Sequence, residues 1–260
     1  MDQNSVLAVV DPGAPWRPGD AWLAGGTQLF SEPHPHVRRF RDLTRAGWEP
    51  LTWDGDALEV AATCTVAELS RFAGQRGGAV GQLVEQCCRA FLASFKVWNA
   101  ATVGGNLCNA LPAGPMISLF SALDGSCLLL RDGQRRRVPA VGFARGPGES
   151  VLADGELLRS ITVPAAAWDR RYAFRQVSLH AQGRSAALLI GSSDGGFALT
   201  ITASTPRPVR LAFPGTPTAA ELARAVEEGV TEWYDDVHGL PAWRRHMTLR
   251  LAEEIRGELA

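Results

Sequence analysis

The feature that most constrains this chain is a pair of Gly-Gly steps in similar company: Leu23-Ala24-Gly25-Gly26-Thr27-Gln28-Leu29 and Ala101-Thr102-Val103-Gly104-Gly105-Asn106-Leu107. Adjacent glycines strip side chains from two consecutive positions, so the backbone can turn tightly or approach a ligand closely. Consecutive amides in such a stretch can also converge on the oxygens of an anion. Either stretch alone is most often just a tight turn. Together, with a Thr hydroxyl and an Asn amide beside them, they suit the two phosphates and ribityl chain of a dinucleotide clasped from opposite sides. Neither is Gly-x-Gly-x-x-Gly or a phosphate loop ending in Gly-Lys-Ser/Thr, which tells against an ordinary Rossmann domain and a nucleotide triphosphatase.

Composition narrows the setting. The 260 residues carry 26 basic and 27 acidic side chains, a net charge of −1, so no nucleic acid or other polyanion is called for. With 46% hydrophobic and 20% charged residues, the chain is expected to be globular, with roughly one to two domains. Its longest apolar runs, such as Cys127 to Leu130 and Ala186 to Ile190, fall far short of the ~20 residues that span a bilayer. The opening Met-Asp-Gln-Asn starts no secretory signal, and a cytoplasmic location is expected. Five cysteines (Cys64, Cys87, Cys88, Cys108 and Cys127) contain no C-x-x-C pair, so disulfides and a resident iron–sulfur cluster are not expected. Cys87 and Cys88 read as buried helix residues. His34 and His36 flank Pro35 without an evident third metal ligand, and they read as a solvated loop.

Along the chain, Leu7 to Val10, Ala21 to Ala24 and Leu58 to Cys64 read as strands ending at turn signals. Thr65-Val66-Ala67-Glu68 has the form of a capping box opening a helix. A longer helix is expected over Val80 to Phe95, then a Gly-rich stretch from Thr102 to Pro115, then an apolar helix over Ile117 to Leu123. Strands are expected at Ser126 to Leu130, Leu157 to Val163, Tyr172 to Ser178, Ala186 to Ile190 and Phe197 to Ala203, with hairpin turns at Asp132-Gly133 and Asp194-Gly195-Gly196. A second capping box, Thr218 to Glu221, and a first-turn Pro241 open two final helices, to about Glu228 and Leu259. The best division is near Pro164 to Asp169, giving domains 1–165 and 166–260.

The two glycine stretches, above all Ala101 to Ala110 continuing through Pro112-Ala113-Gly114, resemble the flavin-binding subunits of the molybdenum hydroxylases. That family includes the medium subunit of carbon monoxide dehydrogenase and the flavin domain of xanthine dehydrogenase. Ala122-Leu123-Asp124-Gly125, Asp154 to Leu158, Ile161 to Pro164, Thr205 to Arg210 and Trp243 to His246 follow in matching order, so the resemblance covers nearly the whole chain. It implies an α+β fold: a two-piece FAD-binding domain of the PCMH type, then a small C-terminal domain with an antiparallel sheet and helices.

The resemblance implies that Ala24, Gly25, Gly26, Thr27, Gln28 and Leu29 wrap the pyrophosphate and flavin edge. It implies that Thr102, Gly104, Gly105 and Asn106 hold the pyrophosphate and ribityl chain. Leu158 matches a position near the flavin ring, and Arg175 a basic residue at the isoalloxazine edge, where a cation would stabilise the reduced ring. A covalent flavin link through His36 or Cys108 is not expected, since the resembled family has none. Three positions depart from the pattern: Gln28 replaces an acidic residue, Trp98 an Arg and Pro115 an Asp. One lost hydrogen bond costs about 0.5–1.5 kcal/mol, or about 2- to 13-fold in affinity, so FAD binding is expected to be weakened and not abolished. The implied function is electron relay. FAD would take electrons from a 2Fe-2S small subunit served by a molybdopterin-binding large subunit, and pass them to NAD+, oxygen or a quinone-like acceptor. The rivals are a self-contained FAD-dependent oxidase and a degenerate, flavin-free assembly subunit.

Overall fold

The computed structural model describes residues 3–260. Three short strands, β1 (Ala8–Val10), β2 (Asp20–Leu23) and β3 (Arg39–Asp42), form a parallel sheet in the order β1-β3-β2. The central strand is the most charged of the three. Arg39 pairs with Asp20 at 2.7 Å, and the buried Arg41 lies 4.3 Å from the Trp22 ring centroid while donating to the carbonyls of Pro12 and Ala14. Internal partners thus let a polar tetrapeptide occupy the middle of a sheet.

The hairpin of β4 (Leu51–Asp54) and β5 (Ala57–Ala61) leads into α1 (Val66–Arg76). The capping box opens α1 as expected: Glu68 N donates to Thr65 Oγ1 at 3.1 Å, and Thr65 N donates to Glu68 Oε2 at 2.8 Å. Helix α2 (Gly78–Ala90) buries Cys87 and Cys88 but stops short of Phe95. Leu92 adopts φ 48°, and Ser94 caps a separate one-turn helix, α3 (Phe95–Trp98). The Gly-rich stretch contains a helix, α4 (Val103–Cys108), because the Thr102 hydroxyl accepts from Gly105 N at 3.0 Å. Pro115 then opens α5 (Pro115–Ala122), which is buried along its whole length.

Strands β6 (Ser126–Arg131) and β7 (Gln134–Pro139) form the Asp132-Gly133 hairpin. A small ribbon of β8 (Ala144–Gly146) and β9 (Glu149–Ser150) precedes β10 (Leu157–Val163). The larger sheet of this region is antiparallel in the order β4-β5-β10-β6-β7. The expected domain division falls in the connection between β10 and β11 (Arg171–Val177).

Four antiparallel strands follow in sequence order: β11, β12 (Ala187–Ser193), β13 (Phe197–Thr202) and β14 (Val209–Phe213). They are succeeded by α6 (Ala219–Gly229) and α7 (Pro241–Leu259). One face of this sheet packs Leu189, Leu199 and Ile201 with Leu222, Val226, Leu251 and Ile255 of the two helices. The opposite face contributes Leu188 and Ile190 to the main core that contains α2 and α5. The two regions therefore share hydrophobic core across the division. Among the described residues, no helix is long and apolar enough to cross a membrane.

Candidate functional site: a cleft between two glycine loops

The two glycine stretches meet. The first loop passes so close to the second that a Cβ on Gly25 would lie 1.7 Å from the Ala100 carbonyl oxygen. At Gly26, φ is +70° and a Cβ would lie 2.5 Å from the Phe30 ring, so glycine is required there for conformation and for space. The loops wall a cavity of about 440 Å³ whose lining includes Ala24, Gly25, Gly26, Thr27, Gln28, Leu29, Thr102, Gly105 and Asn106. A second cavity, of about 360 Å³, shares Thr27, Gln28, Asn106, Asn109 and Leu111. It reaches the connection between β11 and β12 at Gln182, Arg184 and Ser185. Together they form a two-chambered cleft running from the parallel sheet to the C-terminal sheet.

The hydrogen-bond donors of the two loops differ. Among the described residues, no hydrogen bond engages the amides of Gly25, Gly26, Thr27, Gln28 or Leu29. The second loop spends its amides internally: Val103 N on Cys64 O at 2.8 Å, Gly104 N on Ala62 O at 2.9 Å, Gly105 N on Thr102 Oγ1 and Asn106 N on Thr102 O at 3.0 Å. Gly104 does not line the cleft. A Cβ there would lie 2.4 Å from Ala62 Cβ, so this glycine lets α4 seat on β5. Gly105 has no positive φ and faces the cleft, where a Cβ would meet only the Thr102 hydroxyl, at 2.9 Å. The first loop thus leaves its amides without internal partners, whereas the second commits its own.

This arrangement fits an anionic dinucleotide. Five uncommitted amides flank the cavity, and two lining side chains, Trp22 and His34, carry buried nitrogens (Nε1 and Nε2) with no hydrogen-bond partner. Buried polar nitrogens of this kind are costly unless a ligand satisfies them. Asn106 Oδ1 accepts from Met116 N at 3.1 Å, which fixes the side chain at the boundary of the two chambers. Gln28 Nε2 donates to Glu32 Oε1 at 3.5 Å, and Pro115 lines the second chamber as the first residue of α5.

Besides Gly104, two expected site residues lie away from the cleft. Leu158 is buried in β10 opposite Leu129 and lines neither chamber, because β10 runs between β5 and β6 in the middle of its sheet. Arg175 is turned away from the cleft by strand alternation. Its neighbours Phe174 and Tyr172 pack on the main core, so Arg175 faces α7 and pairs with Glu254 at 3.1 Å and Glu258 at 2.7 Å. Trp98 borders a separate surface hollow with Phe95 and Arg71. His34 and His36 stack edge to face at 6.0 Å, and among the described residues no three His, Cys, Asp or Glu side chains group to hold a metal. Cys108 lines the first chamber, and burial pushes its thiol up to about 12, well away from a reactive thiolate. The sequence signal misses Trp22, Asn109 and Arg184, which reach the cleft only through tertiary placement.

The fold is that of a two-part α+β protein, and residues 17–166 match the family model of the FAD binding domain in molybdopterin dehydrogenase. The chain belongs to that family. It is similar to the putative xanthine dehydrogenase FAD-binding subunit of Escherichia coli (strain K12), with 26% identity over 251 residues, covering 88% of this chain and 82% of that one. It is also similar to the caffeine dehydrogenase subunit beta of Pseudomonas sp. (strain CBB1), 34% identical over 108 residues, 40% of this chain and 36% of that one. A reconstituted CO dehydrogenase from Oligotropha carboxidovorans has a chain that superposes with a TM-score of 0.79 at 20% identity, with both chains fully covered. At that identity the superposition establishes a common fold.

Proposed function

We propose that this chain is the FAD-carrying electron-transfer subunit of a molybdenum hydroxylase. In this reading residues 1–165 form the FAD-binding domain and residues 166–260 the C-terminal domain that closes the cleft. The observation that carries it is the array of five uncommitted amides at Gly25 to Leu29, set over the capped floor of α4. The amides and the Thr27 hydroxyl would bind the pyrophosphate. Asn106, anchored through Met116 N, would orient the ribityl chain, and Trp22 and His34 would donate at the far end. Bound FAD supplies reversible uptake of one or two electrons, which no side chain offers. This chain's own residues would hold the cofactor and shield it from water, and none need act as acid or base on an organic substrate.

The electrons would come from a 2Fe-2S subunit served by a molybdopterin-binding subunit and leave to NAD+, oxygen or a quinone-like acceptor. Purification tests the reading directly. A yellow chain that releases FAD on denaturation, and that is pulled down with a molybdopterin protein and a 2Fe-2S protein on co-expression, supports it. A colourless chain that cannot be reconstituted with FAD refutes it, and substrate turnover by this chain alone refutes the relay.

A further inference from the structure

The cleft is nearly devoid of fixed charge. Glu32 contributes a carboxylate to the first chamber, and the cation of the second is Arg184. Arg184 is exposed, and among the described residues its guanidinium makes no hydrogen bond or ion pair, whereas Arg175 is held between Glu254 and Glu258. Its backbone is nonetheless fixed. Ser185 is buried and its hydroxyl accepts from Gln176 Nε2 at 2.8 Å, Ala186 N closes onto Val177 O at 2.8 Å, and Gly183 N turns back onto His180 O at 2.8 Å. The β11–β12 connection, residues 178–186, is thus tied at both ends, and Arg184 lines the second chamber together with Gln28 and Asn106.

Resting on the FAD reading, we infer that Arg184 is the cation that tunes the flavin ring, in the role sequence matching gives to Arg175. The first loop's amides already serve the diphosphate. The second chamber is lined both by apolar Leu92, Val97 and Leu111 and by polar Gln182, Asn109 and Arg184. A flat ring with an apolar dimethylbenzene edge and a polar pyrimidine edge matches that division. When the ring is reduced, negative charge gathers on N1 and the C2 carbonyl. An adjacent guanidinium then favours the reduced form over the oxidised one, without transferring a proton. Arg184 is a positioning and tuning residue and takes no part in bond making.

The test uses the full chain reconstituted with FAD, in wild-type form and as Arg184→Gln, Arg184→Lys and Arg175→Gln. FAD affinity is read by fluorescence and the two-electron midpoint potential by dye titration. Removing a single screened charge should weaken binding of reduced FAD about tenfold more than that of oxidised FAD. That lowers the potential by about 30 mV for a two-electron couple. Arg184→Lys should restore most of the shift, and Arg175→Gln should leave the potential unchanged. A shift in Arg175→Gln but not in Arg184→Gln overturns the inference. So does an Arg184→Gln variant with weakened oxidised binding and unchanged potential, which would place the guanidinium at the diphosphate. Failure of the wild-type chain to take up FAD at all would sink the FAD reading itself, a separate outcome.

Discussion

Gly104 and Gly105 are adjacent, yet substitution to alanine should separate them into a stability position and a cofactor position. A Cβ at Gly104 would lie 2.4 Å from Ala62 Cβ and 2.7 Å from Ala62 O, where carbon–carbon contacts settle near 3.5–4.0 Å. Helix α4 must therefore retreat from β5 by ~1 Å. That movement stretches the Gly104 N to Ala62 O and Val103 N to Cys64 O bonds, now 2.9 and 2.8 Å, beyond useful length. Each lost bond is about 0.5–1.5 kcal/mol, and overpacking a core contact adds about 1–3 kcal/mol. The better helix propensity of Ala returns up to about 1 kcal/mol. The net loss is about 3 kcal/mol, a urea midpoint lowered by ~1 M for the FAD-free chain. Gly105→Ala meets only the Thr102 hydroxyl and should cost no more than the ~1 kcal/mol of a helix cap. Gly105→Val should stay folded and lose FAD, because its branches fill the chamber floor. Circular dichroism during urea titration and flavin content after gel filtration read the two effects. Equal midpoints for Gly104→Ala and wild type, or normal flavin content in Gly105→Val, would refute the division of labour.

Arg244 is 1% exposed and donates to the carbonyls of Gly239, Ala186 and Ala203, with Asp236 as its counter-ion. Arg244→Met strands those carbonyls and the carboxylate, and thermal denaturation should show a loss of about 3–5 kcal/mol. Cys108 should react slowly with iodoacetamide at mildly alkaline pH in the folded chain and rapidly in urea, by mass spectrometry, since burial pushes its thiol up to about 12. Glu156 accepts from Arg136 at 2.6 Å on both oxygens, and this pairing holds its carboxyl below the ordinary value of 4.5. The contribution is fully present above the ordinary value and disappears as pH falls through the lower, folded one. Glu156→Gln should therefore be less stable than wild type near neutrality, and the gap should narrow as pH falls below the ordinary value of 4.5 in denaturant titrations.

What could be read from the sequence followed local chemistry. The two capping boxes, the Asp132-Gly133 turn and the apolar run Leu157 to Val163 form the elements their residues dictate. The central strand Arg39–Asp42 was not legible, because Arg-Phe-Arg-Asp looks like solvated surface until Asp20, Trp16 and Trp22 supply partners. Strand β7, rich in arginine, was hidden for the opposite reason: as the edge of its sheet it needs no apolar face. At the site, the glycines and Asn106 announced themselves by type and order. That Gly104 serves packing depends on the position of Ala62, and that Arg175 faces α7 depends on strand phase within the folded sheet. Arg184 carries no motif, and only the path of the β11–β12 connection brings it to the cleft.

The face of β12 that joins the main core also governs how a cofactor gets in and out. The cleft lies between two regions that look ready to swing apart like a clamshell, but such a swing would bare Leu188 and Ile190 together with the α5 surface that β12 packs against. Exposing those two side chains alone costs about 3–6 kcal/mol. At most roughly one molecule in a hundred, and as few as one in ten thousand, would stand open at any moment. Traffic should therefore pass lengthwise, with the cofactor threading between the loops while the hydrophobic seam stays shut. Its exchange rate would then follow the opening of the first loop, residues 24–29, and it would be insensitive to substitutions that loosen α6 and α7.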